Sequence, residues 1–188
     1  MKIYVNRKPV LGPWGGGSKV LSAIITQLKR AGHDVVHDLV TLVPEKRQEL
    51  TTEGGLDVVR QKDHLRKTIL RFHEKNIPVS LFVDPIREQI EASKEIGADM
   101  IELHTGEYAE ATTESDLKRL LQEIFAAAEY GKQLGLNVNA GHGLNYTNVK
   151  PVAQIPFIDE MSIGHAIISH AVFVGLENAV KEMLALVK

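Results

Sequence analysis

Short apolar segments alternate with longer amphipathic ones along most of the chain, and this alternation restricts the possible folds more than any other feature. Residues 78–83 and 100–104 have the length and apolar composition of buried strands. Residues 86–96 and 115–134 repeat apolar side chains at helical spacing. An order of this kind is typical of a parallel sheet built from right-handed βαβ units.

The same pattern predicts six strands, at residues 2–6, 33–43, 78–83 and 100–104 and directly before the Gly-His pairs that end in His142 and His165. Helices are predicted at residues 20–28, 63–74, 86–96, 115–134, 148–154 and 176–187, with Thr113 and Asp116 capping the longest. A closed eight-stranded barrel takes about 250 residues, and this chain has 188. We therefore expect one β/α domain over residues 1–188, with either a barrel-like sheet or an open Rossmann-like or flavodoxin-like sheet.

The amino-acid composition limits which partners the chain can bind and in which compartment we expect it. A hydrophobic fraction of 44% and a charged fraction of 24% are ordinary for a globular protein, and the net charge of -2 argues against general binding to nucleic acid or membrane surfaces. The chain has no cysteine, which excludes disulfides, zinc–thiolate sites and thiol nucleophiles. No apolar run approaches the length of a membrane span, and the first residues lack the apolar core of a signal peptide. These features predict a cytoplasmic protein.

Two strands end at a Gly-His pair, in NVNAGHGLNY and in MSIGHAIIS. Glycine allows a ligand to approach the backbone closely, and histidine exchanges protons near neutral pH. The ends of parallel strands meet at one rim, where α/β proteins bind their ligands. Backbone amides at Gly143, Gly164 and His165 can hold a phosphate there without a lysine. The simpler alternative is that the glycines make turns and the backbone satisfies the histidines.

Other predicted strands also end in polar side chains, at Glu45, at Asp84 and at Glu102 with His104. Glu102 and His104 are two residues apart, so both can face the same side of a strand. Together with the two Gly-His histidines they could hold a metal ion, although no local ligand motif is present. We favour a site without metal or cofactor that binds small phosphorylated molecules.

From about Leu42 to its end, the chain resembles the pyridoxine 5′-phosphate synthases of vitamin B6 biosynthesis. The matching segments are LVPEKRQELTTEGGLDV, VSLFVD, IELHTGEYA, LGLNVNAGHGLNYTNV and SIGHAIISHAVFVGL. The resemblance implies a parallel fold derived from a TIM barrel, with about six βα units left in this chain. It also implies a transferase that condenses deoxyxylulose 5-phosphate with 3-amino-2-oxopropyl phosphate.

The resemblance assigns roles to individual residues. His142 in NAGHGL matches the proton donor, and Glu102 in IELHTG matches the residue that stabilises developing positive charge or orients the intermediate. The remaining matches are substrate-binding positions, at Gly143, Gly164 and His165 for the aminoketone phosphate, at Thr51 in TTEGG for the deoxyxylulose phosphate, and at Asn6 in a short Val-Asn match.

Residues 1–38 depart from this family. MKIYVNRKPVLGPWGGGSKVLSAIITQLKRAGHDVV resembles the start of a glycosyltransferase with Rossmann-like domains, and residues 1–40 lack the proton-acceptor His and Glu that the family carries there. We therefore expect a chimera, recombined or engineered, with a junction near residues 37–41 and low or absent condensation activity. Unpaired sheet edges favour a homo-oligomer. The alternatives are a fold chimera without catalytic function and a glycosyltransferase-like function of the N-terminal unit.

Overall fold

The computed structural model describes residues 2–4, 34–36, 39–44 and 54–187. Its strands are β1 (Lys2–Tyr4), β2 (Asp34–Val36), β3 (Val40–Leu42), β4 (Val79–Val83), β5 (Met100–His104), β6 (Asn137–Gly141) and β7 (Glu160–Ser162). Its helices are α1 (Val58–His73), α2 (Arg87–Glu95), α3 (Gly106–Glu110), α4 (Glu114–Gln133), α5 (Val149–Ala153), α6 (His165–Val174) and α7 (Leu176–Leu186). Within this part of the chain, no helix combines the length and apolar composition that a membrane crossing needs.

Strands β3 to β7 form one parallel sheet in the order β3-β4-β5-β6-β7. Each strand therefore pairs with its neighbour in sequence, as in the wall of a β/α barrel. In Rossmann-like and flavodoxin-like sheets the strand order reverses at a switch point. The sequential order confirms a barrel-derived fold of half-barrel size, and the open Rossmann-like alternative is wrong.

The predicted strand at residues 33–43 consists of two strands that belong to different sheets. β2 pairs in parallel with β1, from Lys2 opposite Asp34 to Tyr4 opposite Val36. β3 pairs instead with β4, with Val40 opposite Val79. The described residues thus contain a two-stranded and a five-stranded sheet, and seven strands replace the six expected.

Successive side chains of the five-stranded sheet point to opposite faces, and the two faces differ in chemistry. One face is apolar and buried against the helices, with Val79, Leu81, Val83, Ile101, Leu103, Val138 and Ala140 all fully buried. The other face carries polar side chains, since Ser80, Glu102, His104 and Asn139 are all buried there. The apolar face provides the core, and the polar face is available for chemistry at the strand ends.

Several helix ends follow local capping chemistry. The Thr113 hydroxyl accepts a hydrogen bond from Asp116 N–H at 3.1 Å and starts α4, as predicted. α1 begins at Val58, five residues before the predicted start, because the Asp57 carboxylate accepts from Arg60 N–H at 3.3 Å. The sequence did not indicate α3 or α6; α6 reads HAIISHAVFV and is apolar almost throughout, so no helical periodicity marks it.

Two aspartates hold the end of the sheet where the strands begin. Asp99 Oδ2 accepts from Val79 N–H and contacts His73 Nε2, both at 2.7 Å. Asp159 Oδ2 accepts from Val138 N–H at 2.8 Å and its carboxylate also binds Lys132. Each aspartate thereby ties the loop before one strand to the strand beside it.

Candidate functional site

Polar side chains from three neighbouring strands meet at the opposite end of the sheet. Asp84 follows β4, His104 closes β5 and His142 follows β6. His104 Nδ1 lies 2.9 Å from Asp84 Oδ1, and the rings of His104 and His142 meet edge-on with centroids 5.0 Å apart. Phe82 packs beside both rings, 5.1 Å from His104 and 6.3 Å from His142. Parallel pairing thus brings predicted strand-end residues into one cluster.

Glu102 lies below this rim, on β5, and is only 8% exposed. It stands in register between Phe82 and Asn139. Its carboxylate reaches the end of β6, because a methyl group on Gly141 would lie 2.4 Å from Glu102 Oε1. Gly141 directly precedes His142, so the Glu102 carboxylate lies beside the backbone that leads into His142.

Neighbouring side chains hold His142 in an unusual backbone conformation. Its φ is 82°, in the left-handed region that few residues other than glycine adopt. The buried Thr105 hydroxyl lies 2.8 Å from the Gly141 carbonyl oxygen and 2.6 Å from that of His142. Gly143 follows with φ 74°, and a methyl group there would lie 2.5 Å from Ala109 Cβ. This packing presents the His142 side chain at the surface of the rim, where it is exposed.

The loop after His142 is held by side chains that sequence patterns did not single out. Asn148 accepts from Asn145 N–H at 2.7 Å and donates to the Gly143 carbonyl at 3.2 Å. Tyr108 donates its hydroxyl to the Asn148 carbonyl at 2.9 Å, and burial raises the pKa of Tyr108. The only sequence signal was the cluster NYTN, since asparagine and threonine favour turns through local hydrogen bonds.

Asp84 joins the cluster to the segment before α1. Its Oδ1 also accepts from Gly55 N–H at 2.9 Å, and Leu56 N–H donates to the Phe82 carbonyl at 2.8 Å. The hydrogen bond from His104 is the largest influence on Asp84 and, with that from Gly55, holds its pKa below the ordinary value although burial acts in the opposite direction. Asp84 is therefore an anion at neutral pH and a strong acceptor.

Gly164 and His165 lie at the next strand end. β7 is the neighbour of β6, with Ser162 opposite Gly141, and Gly164 is the N-cap of α6. Among the described residues other than its two chain neighbours, no heavy atom lies within 4 Å of the position that a Gly164 methyl group would take, and His165 is exposed. The first turn of α6 contains no acidic residue, so its amide groups suit an anion.

Two predicted binding residues, Thr51 and Asn6, and the strand-end residue Glu45 lie outside the described residues. For the alternative of a metal ion, the structure pairs one of the proposed ligands, His104, with Asp84 through Nδ1. Among the residues that the structure describes, no three His, Asp or Glu side chains are arranged to hold a metal ion.

Similarity to known proteins agrees with this geometry. The family of pyridoxal phosphate biosynthesis protein PdxJ matches residues 21–188. The chain belongs to the PdxJ family. A pyridoxine 5′-phosphate synthase of Thermodesulfovibrio yellowstonii is 55% identical over 151 residues, which cover 80% of this chain and 62% of that protein. The synthase of Chlorobium phaeobacteroides is 52% identical over 151 residues, which cover 80% of this chain and 64% of that protein. The synthase of a Sulfurihydrogenibium species is 57% identical over 144 residues, which cover 77% of this chain and 59% of that protein.

This chain spans less than two thirds of the length of these relatives. Among solved structures, the tryptophan synthase A-subunit of Pyrococcus furiosus superposes with a TM-score of 0.51 at 12% identity, covering 98% of this chain and 66% of that one. That likeness concerns the fold alone and agrees with a barrel-derived sheet.

Proposed function

We propose that this PdxJ-family chain carries the proton-donating and phosphate-binding part of a pyridoxine 5′-phosphate synthase site. The reaction joins deoxyxylulose 5-phosphate to 3-amino-2-oxopropyl phosphate and releases phosphate and water. The observation that carries the proposal is the close approach of Glu102 to Gly141, which sets a buried carboxylate beside the residue that directly precedes the exposed His142.

His142 acts as the proton donor in this proposal. Ring closure passes through imines and enols, whose formation and breakdown need a proton shuttle that works near neutral pH. Glu102 stabilises positive charge on the nitrogen of the intermediate, because a buried carboxylate attracts a cation more strongly than one in water. The bond between Thr105 and the His142 backbone supports this division of roles, since it holds the donor in place before substrate binds.

Gly143, Gly164 and His165 bind the phosphate of the aminoketone. The free amide groups at the start of α6 and the positive end of its helix dipole would attract this phosphate. The space beside Gly164 leaves room for it. Thr51 and Asn6 complete the substrate contacts in the proposal. Charged phosphates do not cross membranes readily and stay in the compartment in which they are made. Because the proposed substrates are phosphates, we propose the cytoplasm as the location of the protein.

A product assay with the purified full chain tests the function. We expect slow formation of pyridoxine 5′-phosphate, since the proton acceptors that the family resemblance assigns to the first strands have no counterpart in residues 1–40. His142→Asn and Glu102→Gln should each abolish it, while Glu95→Gln, which changes an exposed carboxylate at the end of α2, should not. Product at the wild-type rate in either His142→Asn or Glu102→Gln would contradict the proposal.

The chimeric origin of residues 1–38, joined near residues 37–41 within one domain, belongs to the same proposal. Its support is that the three relatives align with only about four fifths of the chain, whereas the match to the family begins at residue 21 and therefore includes part of this segment. Calorimetry of the full chain tests the single domain. One cooperative unfolding transition is expected, and two separate transitions would contradict it.

We also propose that the chain forms a homo-oligomer through α6 and the start of α7. Ile168, Val172, Phe173 and Leu176 are 54%, 79%, 86% and 49% exposed, and clustered apolar exposure of this kind marks association surfaces. Sedimentation should show a mass above 20.8 kDa for the wild type. Phe173→Asp should yield monomers, whereas a monomeric wild type would refute self-association.

A further inference from the structure

We propose that Asp84 is a positioning residue that fixes the tautomer and orientation of the His104 ring, and through that ring the orientation of His142. The catalytic consequence rests on the proposed function. The tautomer itself is a property of the unliganded chain and can be measured without substrate.

The first step of the argument is the hydrogen bond between the two side chains. An ionised carboxylate only accepts, so His104 Nδ1, at 2.9 Å from Asp84 Oδ1, carries the proton of this bond. Gly55 N–H donates to the same oxygen and orients the carboxylate. Asp84 is thus fixed by the backbone on one side and fixes an imidazole on the other.

The second step is the burial of His104 compared with His142. The His104 side chain is 8% exposed, whereas His142 is exposed. A substrate at the rim therefore contacts His142, and His104 lies behind it. This arrangement makes His104 a support for the proton donor.

The third step is the tight packing around the two rings. A methyl group on Gly106 would lie 2.3 Å from His104 Nε2 and 3.2 Å from His142 Cδ2, so both rings pack against the same glycine. Phe82 fills the space beside them. Because the rings also meet edge-on at 5.0 Å, a rotation of His104 necessarily changes the surface on which His142 rests.

Nitrogen-15 NMR of the full chain without substrate tests the tautomer, with His104→Gln used to assign the signal among eight histidines. We expect the Nδ1–H form in the wild type and a shift toward Nε2–H in Asp84→Ala. Asp84→Asn is the second variant, because its amide oxygen can still accept from Gly55 N–H and preserve the fold. An Nε2–H form in the wild type, or an unchanged His104 tautomer in both variants, would overturn the proposal.

Asp99→Ala is a matched control. Asp99 also binds one histidine and one backbone amide, each at 2.7 Å, but at the opposite end of the sheet. It should alter the His73 signals and leave the His104 signals unchanged. Equal changes at His104 in Asp99→Ala would show that the response reports general loosening, and the proposal would fail.

Kinetics separate positioning from a structural role. Carboxylates that orient metal-ligating histidines typically contribute roughly 10- to 100-fold, and by analogy we expect a fall of that order in kcat for Asp84→Ala with KM unchanged. In a His104→Gln background the same substitution should have little further effect, because Asp84 acts through His104. An equal further loss there would overturn the proposal. If the wild type makes no product, the proposed function fails, and the tautomer measurement still decides the role of Asp84.

Discussion

Replacing Gly141 with alanine should destabilise the chain, although glycine within a strand is by itself less favourable than alanine by about 0.5 to 1 kcal/mol. Gly141 ends β6, directly before His142. An added methyl group would lie 2.4 Å from Glu102 Oε1, 2.9 Å from Ser162 Cβ and 3.2 Å from the Ser162 carbonyl oxygen. The first contact can be relieved by movement of a side chain, while the carbonyl belongs to the neighbouring strand β7 and cannot move without disturbing the sheet.

Two opposing effects determine the size of the change. Alanine lowers the entropy of the unfolded chain, which stabilises the fold by about 0.4 to 1 kcal/mol. Overpacking a buried site costs about 1 to 3 kcal/mol. The second effect is larger on average, so we expect the free energy of unfolding to fall by about 1.3 kcal/mol, the difference between the midpoints of the two ranges.

Urea unfolding followed by far-ultraviolet circular dichroism measures this loss, with an unchanged m-value as the sign that the unfolding transition is comparable. Gly54→Ala is the matched control, because among the described residues its methyl group would meet only Asp84 Oδ2, at an ordinary 3.8 Å. A Gly141→Ala protein as stable as the wild type and as Gly54→Ala would refute the close approach of Glu102 and Ser162.

A double-mutant cycle identifies the contact responsible. If Glu102 occupies the space beside Gly141, then Gly141→Ala should cost less in a Glu102→Ala background. Residues in direct contact typically show coupling energies of about 0.5 to 3 kcal/mol. Additive losses would indicate that the two side chains do not meet.

Three further outcomes follow from single contacts. Thr105→Val removes the hydroxyl bond to the His142 carbonyl and should lower the free energy of unfolding by about 1 kcal/mol; urea unfolding indistinguishable from the wild type would contradict this. The hydrogen bond from His104 lowers the pKa of Asp84, so its stabilisation is fully present above the ordinary value of 3.8 and lost as pH falls through the lower folded value. The stability difference between wild type and Asp84→Asn should therefore shrink on acidification below that pH, and a constant difference in urea titrations would refute the assignment. Thr113→Ala removes the cap of α4 and should cost about 1 kcal/mol in the same measurement; no loss would rule out the cap.

Sequence patterns predicted the bounds of a strand or helix correctly where polar residues, glycine or a capping residue stand at both of its ends. β5 was predicted to the residue, because polar residues and glycine bound its apolar run on both sides. α6 was missed for the opposite reason, since its residues are apolar almost throughout and none is buried. The separate pairing of β1 with β2 was also missed, because pairing between strands depends on contacts distant in sequence.

The candidate site divides in the same way. The rule that parallel strands end at one rim predicted that Asp84, His104 and His142 would lie near each other. It could not predict that Asp84 binds His104, because that contact depends on the register of Phe82 opposite Glu102 and Val83 opposite Leu103. A register shift of one residue would turn the side chains to the other face. The hydrogen bonds of Thr105 to the carbonyls of Gly141 and His142 could not be predicted either, since no sequence pattern distinguishes such a threonine from any other that follows a strand.

At both ends of the sheet, an aspartate binds a backbone amide together with a lysine or histidine side chain. The functional consequence of this pair of bonds differs between the two ends. Asp99 and Asp159 bind the first residues of β4 and the start of β6, with His73 and Lys132 as their partners. In barrels that end of the strands serves stability, and the other end carries the chemistry. At the carboxyl ends of the strands, Asp84 makes the same pair of bonds, with Gly55 N–H and His104. His104 in turn packs on the exposed His142. The interaction is the same, and its position at the carboxyl ends of the strands gives it an influence on the orientation of the proposed proton donor.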